Sequence, residues 1–124
     1  MKSIESQEQI ALMQWAELQT FMHPELRLLH HIPNGGKRNM ATAARLKREG
    51  VKAGVPDLCL PVPKGKWHGL YIEMKAAKGK TSDMQDWWIW QLRKQGYCVV
   101  VCYGWEAAKD TIMSYLQGKE DGLC

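Results

Sequence analysis

Two carboxylates and a lysine lie at spacings that would bring them together. Glu73 and Lys75 are two apart in the run GLYIEMK, and Tyr71, Ile72 and Met74 around them are apolar. Residues i and i+2 of a strand leave the same face, so a carboxylate and an ammonium project together from what reads as a central strand. Asp57 stands in GVPDLCLPV, a second apolar run, and the polar, lysine-bearing stretch from Pro63 to His68 separates the two. That pattern reads as a hairpin with a longer loop. A turn near Gly65-Lys66 sets Asp57 opposite Glu73 or Lys75. Directly opposed residues on antiparallel strands share a face, with Cβ atoms about 5 Å apart, although a bulge would shift that register.

Two carboxylates held that close repel unless positive charge lies between them. Mg²⁺ is bound by one or two carboxylates together with water and phosphate oxygens. It lowers the pKa of water and offsets charge in a phosphoryl transition state. A neighbouring lysine can orient the attacking water and stabilise developing negative charge. The trio therefore has the parts needed for phosphodiester hydrolysis. Singly, each residue has a simpler reading: an aspartate after proline is common in turns, and Glu73 with Lys75 could be an exposed ion pair worth little. Their conjunction points to chemistry.

The elements that must position the trio follow from periodicity. Ser3 to Met22 has helical spacing, with Ile4, Ala11, Leu12, Trp15, Leu18 and Met22 on one face at about 100° per residue. His23-Pro24 ends it. Leu26 to Ile32 reads as a strand, Pro33-Asn34-Gly35-Gly36 as a turn, and Asn39 to Glu49 as a basic helix closed by Gly50. After the hairpin, a loop from Ala76 to Thr81 leads to a helix from about Asp83 to Gln95. Tyr97 to Tyr103 is an apolar strand expected to be buried on both faces, and Trp105 to Gln117 a last amphipathic helix. The order α-β-α-β-β-α-β-α predicts an α/β fold, a mixed sheet flanked by helices. A length of 124 residues predicts one domain, 1–124.

Pro56-Asp57, followed after 15 residues by Glu73-Met74-Lys75, resembles the PD-(D/E)xK nuclease signature. The runs HIPNGGKRN, GVKAGVPDLCLPV, GLYIEMKAAKGKTSDMQDWW and GYCVVVCYGWEAA extend the match. Together they closely resemble the VRR-NUC (virus-type replication-repair nuclease) family, from about Glu5 to Leu116. The resemblance implies a restriction-endonuclease-like core, Mg²⁺ or Mn²⁺, and structure-selective DNA cleavage. Small stand-alone members look like phage proteins and are similar to Holliday-junction resolvases, so it also implies an endonuclease for branched DNA, acting as a homodimer. It implies catalytic roles for Asp57, Glu73, Lys75 and Gln85. Metal ligands on this basis are Asp57, Glu73, the backbone carbonyl of Met74 and a glutamate of the first helix.

That helix offers Glu5, Glu8 and Glu17. On the expected apolar face Glu8 falls between Ala11 and Leu12, Glu5 at the edge and Glu17 outside. Glu8 is the expected ligand and Glu5 the alternative. Glu8 could instead merely complement the helix dipole beside a Ser6…Gln9 capping box. Gln85 has capping-box spacing from Ser82, yet it shares a stripe with Trp88, Ile89 and Leu92 that should face the sheet near Lys75. Asn34, Lys37, Arg38, Arg45, Lys78 and Lys80 are candidate DNA contacts. With Lys47, Arg48, Lys52, Lys64 and Lys66 they either bind phosphate or form a solvated basic face.

Bulk properties set limits. A formal net charge of +4 permits a nucleic-acid partner without demanding one. No apolar run approaches the ~20 residues of a membrane span, and Met1 to Gln9 has no signal-peptide h-region. A cytoplasmic location, in a bacterial or phage-infected cell, is expected. None of the four cysteines forms a CxxC pair. Cys98 and Cys102 would be roughly 13 Å apart along a strand, so buried free thiols are expected. Trp15 and Trp88 fall on core faces, whereas Trp67 and Trp90 suit a partner surface. His30 and His31 point to opposite faces and cannot share a metal. Gly79-Lys80-Thr81 has the tail of a P-loop, but Met74 stands where the pattern needs glycine. The main alternative is a DNA-binding module of the same fold that does not cut.

Overall fold

Ser3 opens the first helix by accepting the N–H of Ser6 at 3.1 Å. The computed structural model describes residues 3–34, 39–119 and 123–124; Gly35, Gly36, Lys37 and Arg38 therefore lie outside the described residues. Helix α1 runs Ile4–Gln19. Pro24 then starts a single 3-10 turn, Pro24–Leu28, where a longer strand was expected. The cause is local: proline fixes φ and lacks an N–H, and a 3-10 turn puts residues three apart on one side, which buries Leu26 and Leu29 together. Only β1, His30–His31, remains of that strand.

Helix α2, Met40–Arg48, is capped by the Asn39 side chain. Strand β2 is Leu58–Leu60 and β3 is Leu70–Lys75. Helix α3, Asp83–Lys94, begins with a Ser82/Gln85 capping box. Strand β4, Cys98–Tyr103, and helix α4, Trp105–Leu116, follow. The sheet order is β1-β2-β3-β4; β3 runs antiparallel to β2 and parallel to β4. The parallel pair is joined through α3, as a crossover requires. This is the expected mixed sheet flanked by helices.

Strand alternation divides the molecule. Leu58, Leu60, Leu70, Ile72, Met74, Cys98 and Cys102 join Leu12 and Ala16 of α1 and Ile112 and Tyr115 of α4 in the main core. Burial of each large aliphatic side chain contributes roughly 1.5–3 kcal/mol. The opposite face, with Tyr71, Glu73 and Lys75, turns toward α3, and the Gln85 side chain of that helix reaches Glu73.

Three expectations are corrected. The buried face of α1 centres on Leu12 and Ala16, while Ile4, Leu18 and Met22 are 66%, 80% and 71% exposed. The helix packs against α4 and β3 along a line rotated from the all-apolar stripe. Cys98 is not a free thiol: a disulfide joins it to Cys124, with Cα atoms 5.2 Å apart. The disulfide sets Cys124 beside the first residue of β4, a contact between distant positions that strand spacing alone does not reveal; Cys59 and Cys102 are free and buried as expected. Trp67 is half-buried against the core rather than offered to a partner. Among the described residues no helix is long and apolar enough to cross a membrane.

Candidate active site

The register settles how the trio meets. Leu58 pairs with Ile72, Cys59 with Tyr71 and Leu60 with Leu70, so the next positions set Asp57 opposite Glu73. Continuing one step further sets Pro56 opposite Met74. Proline has no N–H to give the ladder. The Met74 N–H, by contrast, is taken by the Asp57 side chain, whose Oδ2 accepts it at 2.7 Å. The Pro-Asp pair thus does two things: it leaves the Met74 carbonyl without a cross-strand donor from Pro56, and it turns the aspartate carboxylate onto β3.

Glu73 is 1% exposed and Lys75 8%, so they are not a surface ion pair. Lys75 Nζ lies 3.8 Å from Glu73 Oε2, and Gln85 Nε2 donates to the same oxygen at 3.2 Å. Glu73 Oε1 is buried without any hydrogen-bond partner. The Glu73 carboxyl is pushed up to about 9, first by burial and then by the charge and hydrogen bond of Asp57; Lys75 opposes them, and Glu5 adds a raising effect. An anion with a buried, orphaned oxygen beside a second carboxylate is costly unless a cation or proton is supplied.

Gln85 serves two elements. Its Oε1 accepts the Ser82 N–H at 2.9 Å to cap α3, while its amide holds Glu73. Both readings of the sequence therefore apply to it. Gly79 lies over Lys75, a Cβ there falling 3.3 Å from Lys75 Cδ, so the loop bearing exposed Lys78 and Lys80 folds across the lysine. Thr81 bonds Asp86, which leaves its hydroxyl unsuited to the P-loop role.

Of the α1 glutamates, Glu5 is the one whose charge acts on Glu73. Glu8 instead reaches Gly104, with Oε1 3.5 Å from where a Cβ would sit. The rotated face explains this: seven and eleven residues separate Glu5 from Leu12 and Ala16, near whole helical turns of about 3.6 residues. Among the described residues no three His, Cys, Asp or Glu side chains gather as a ready metal cluster; Asp57 and Glu73 are a facing pair of carboxylates. Arg45 is exposed and paired with Glu49 at 3.1 Å, and Asn34 lines a cleft between α2 and α3. Lys37 and Arg38 lie outside the described residues.

Several positioning groups escaped the sequence reading. The Asp57 carbonyl accepts from Ile32 N at 2.7 Å and contacts His31 Nδ1 at 2.8 Å, so β1 holds the aspartate from behind. Gly54, at φ +92, lets the preceding loop touch α3: a Cβ there would lie 2.8 Å from Met84 Cγ and 2.9 Å from its backbone. A glycine three residues before the aspartate was the available signal.

The VRR-NUC domain family model matches residues 3–106. A solved structure described as a VRR_NUC domain protein superposes with a TM-score of 0.78 at 34% sequence identity, covering 94% of this chain and 91% of that one. No curated protein matches. The matched segment contains Asp57, Glu73, Lys75 and Gln85, and the chain belongs to the VRR-NUC family.

Proposed function

We propose that this nuclease-type domain is a divalent-metal-dependent DNA endonuclease, selective for branched DNA, with Asp57, Glu73 and Lys75 at its centre. The orphaned Glu73 Oε1 beside the Asp57 carboxylate carries the reading. Asp57, Glu73 and the Met74 carbonyl would hold Mg²⁺ or Mn²⁺, and α1 would add Glu5, with Glu8 the alternative. When bound, the ion would lower the pKa of water and offset phosphate charge.

The chain's own residues do the rest. Lys75, buried beside Glu73, presents an ammonium that orients the attacking water and balances charge growing on the phosphate. Gln85 fixes the Glu73 carboxylate from α3. Burial of Lys75 and Glu73 excludes bulk water and strengthens both interactions. The loop with Lys78 and Lys80, together with Arg45, Lys37 and Arg38, would contact phosphates and set position rather than sequence. Homodimerisation is proposed on the family resemblance alone, and light scattering reads it.

A cleavage panel tests the proposal: four-way junctions, flaps, nicked duplex and single strands, each with Mg²⁺ and with Mn²⁺, using wild type and Asp57→Ala. Cutting of branched substrates by wild type only is expected. Tight binding to branched DNA with no cutting under either metal would favour the non-cleaving module.

A further inference from the structure

Helix α2 packs against no other helix or strand among the described residues and buries no residue of its own. Beneath it opens a cleft of about 970 Å³, whose walls include Leu46, Lys47, Lys52, Met84, Trp87 and Trp88. The floor is fixed. Trp88 donates its indole N–H to the Ala53 carbonyl at 3.1 Å, and its ring stands at 86° to that of Trp87, centroids 5.6 Å apart. Trp87 and Met84 are each 52% exposed, an unusual pair of large apolar side chains to leave in water beside a charged loop.

Charge says what would cover them. No aspartate or glutamate of the described residues lines the cleft, while Lys47 and Lys52 do. The adjoining helix carries Arg45, Lys47 and Arg48, and its one flanking acid, Glu49, is held by Arg45. An aromatic surface rimmed by ammonium groups matches a polyanion with flat apolar bases, the combination that single-stranded nucleic acid meets on its binding proteins. Double-stranded DNA keeps its bases stacked inside and cannot fill a concave apolar cleft. The cleft also shares its walls with the active site: Ala53 and Gly54 lead directly to Pro56-Asp57, and α3 carries both Trp87 and Gln85.

We infer that this cleft receives an unpaired nucleotide of the bound DNA, its base stacked on Trp87 and its phosphate beside Lys47 and Lys52. The inference rests on the nuclease reading and adds to it the feature of branched DNA that is recognised, an unpaired nucleotide close to the scissile bond.

Binding in EDTA separates this from cutting. The probes are a blunt duplex and the same duplex with a short single-stranded flap containing 2-aminopurine. Wild type should bind the flap DNA more tightly than the blunt duplex and quench the 2-aminopurine. Trp87→Ala should lose roughly tenfold or more of flap affinity, lose the quench, and keep duplex affinity; Trp87→Tyr should restore both. Lys52→Glu, at an exposed position that cannot disturb the core, should also weaken flap binding. Equal affinity of wild type for both DNAs, or unchanged flap binding by Trp87→Ala, overturns the inference. So does a wild-type dimer that Trp87→Ala converts to monomer with DNA binding intact, since the cleft is then a surface between copies. If wild type cuts DNA with Mn²⁺ while the Trp87 variants behave as wild type, the cleft fails and the nuclease reading stands; if wild type neither binds nor cuts, both fall.

Discussion

The Met74 backbone N–H donates to the Asp57 carboxylate at 2.7 Å, where a ladder bond to residue 56 would otherwise lie. This bond ties a site residue to the end of the β2–β3 ladder. Comparing Asp57→Ala with Asp57→Asn isolates it, because both lose the charge and only the asparagine keeps an acceptor. Asp57→Ala should be less stable than Asp57→Asn by roughly 1–3 kcal/mol, the cost of an unsatisfied part-buried donor. Thermal melts in EDTA measure the difference. Neither variant should cut DNA.

Glu73 gives a pH signature. Its carboxyl is pushed from 4.5 up to about 9, chiefly by burial. Between those values the native state keeps a proton that the unfolded chain has lost. The Glu73 contribution to stability without metal is then fullest below about pH 4.5 and falls as pH rises toward about 9. Glu73→Gln should flatten that slope. A divalent cation competes with the proton, so Mn²⁺ should raise the melting temperature more at about pH 8 than at about pH 6. Melts across pH with and without Mn²⁺ would show no Glu73-dependent fall between about pH 4.5 and about pH 9 if Glu73 were ionised in the metal-free fold.

The two α1 glutamates separate by position. Glu5 acts on Glu73, and Glu8 lies against Gly104 at the start of α4. Glu5→Gln should weaken Mn²⁺ binding, measured by calorimetry, by about tenfold or more. Glu8→Gln should change it little and lower stability by about 0.3–1 kcal/mol through lost helix-terminus electrostatics. The reverse pattern would return the ligand role to Glu8.

Much of this was legible in the sequence, for identifiable reasons. Period-2 alternation in GLYIEMK put Glu73 and Lys75 on one face, and the hairpin loop limited Asp57 to two partners, of which the structure selects Glu73. The phase of α1 was not legible. Ile4, Leu18 and Met22 are apolar but exposed, so hydrophobicity pointed to the wrong stripe and shifted the choice between Glu5 and Glu8. The strand expected at Leu26 yielded to a proline-led turn with its leucines three apart. The disulfide and the α2–α3 cleft depend on contacts between distant segments, which no local pattern encodes.

Gln85 caps α3 and holds Glu73 with the two ends of one amide. Gln85→Glu preserves the acceptor for Ser82 but replaces the donor to Glu73 with a third carboxylate. Helix content should be unchanged, while cleavage falls by about tenfold or more and requires higher metal concentration. Gln85→Ala should also lower stability by about 0.5–2 kcal/mol as the capping interaction is lost. Circular dichroism and a metal titration of the cleavage rate separate the two effects.

The site proposed at Asp57, Glu73 and Lys75 would cut DNA with a divalent ion. The most direct test is the single-turnover cleavage rate of a branched substrate in Mn²⁺, for wild type and Lys75→Met, a near-isosteric change that removes the ammonium. Wild type should cut only when metal is present, and Lys75→Met should lose roughly 100-fold or more of the rate, with folding and flap binding retained. Wild-type rates in Lys75→Met, or cleavage that persists in EDTA, would contradict the proposal.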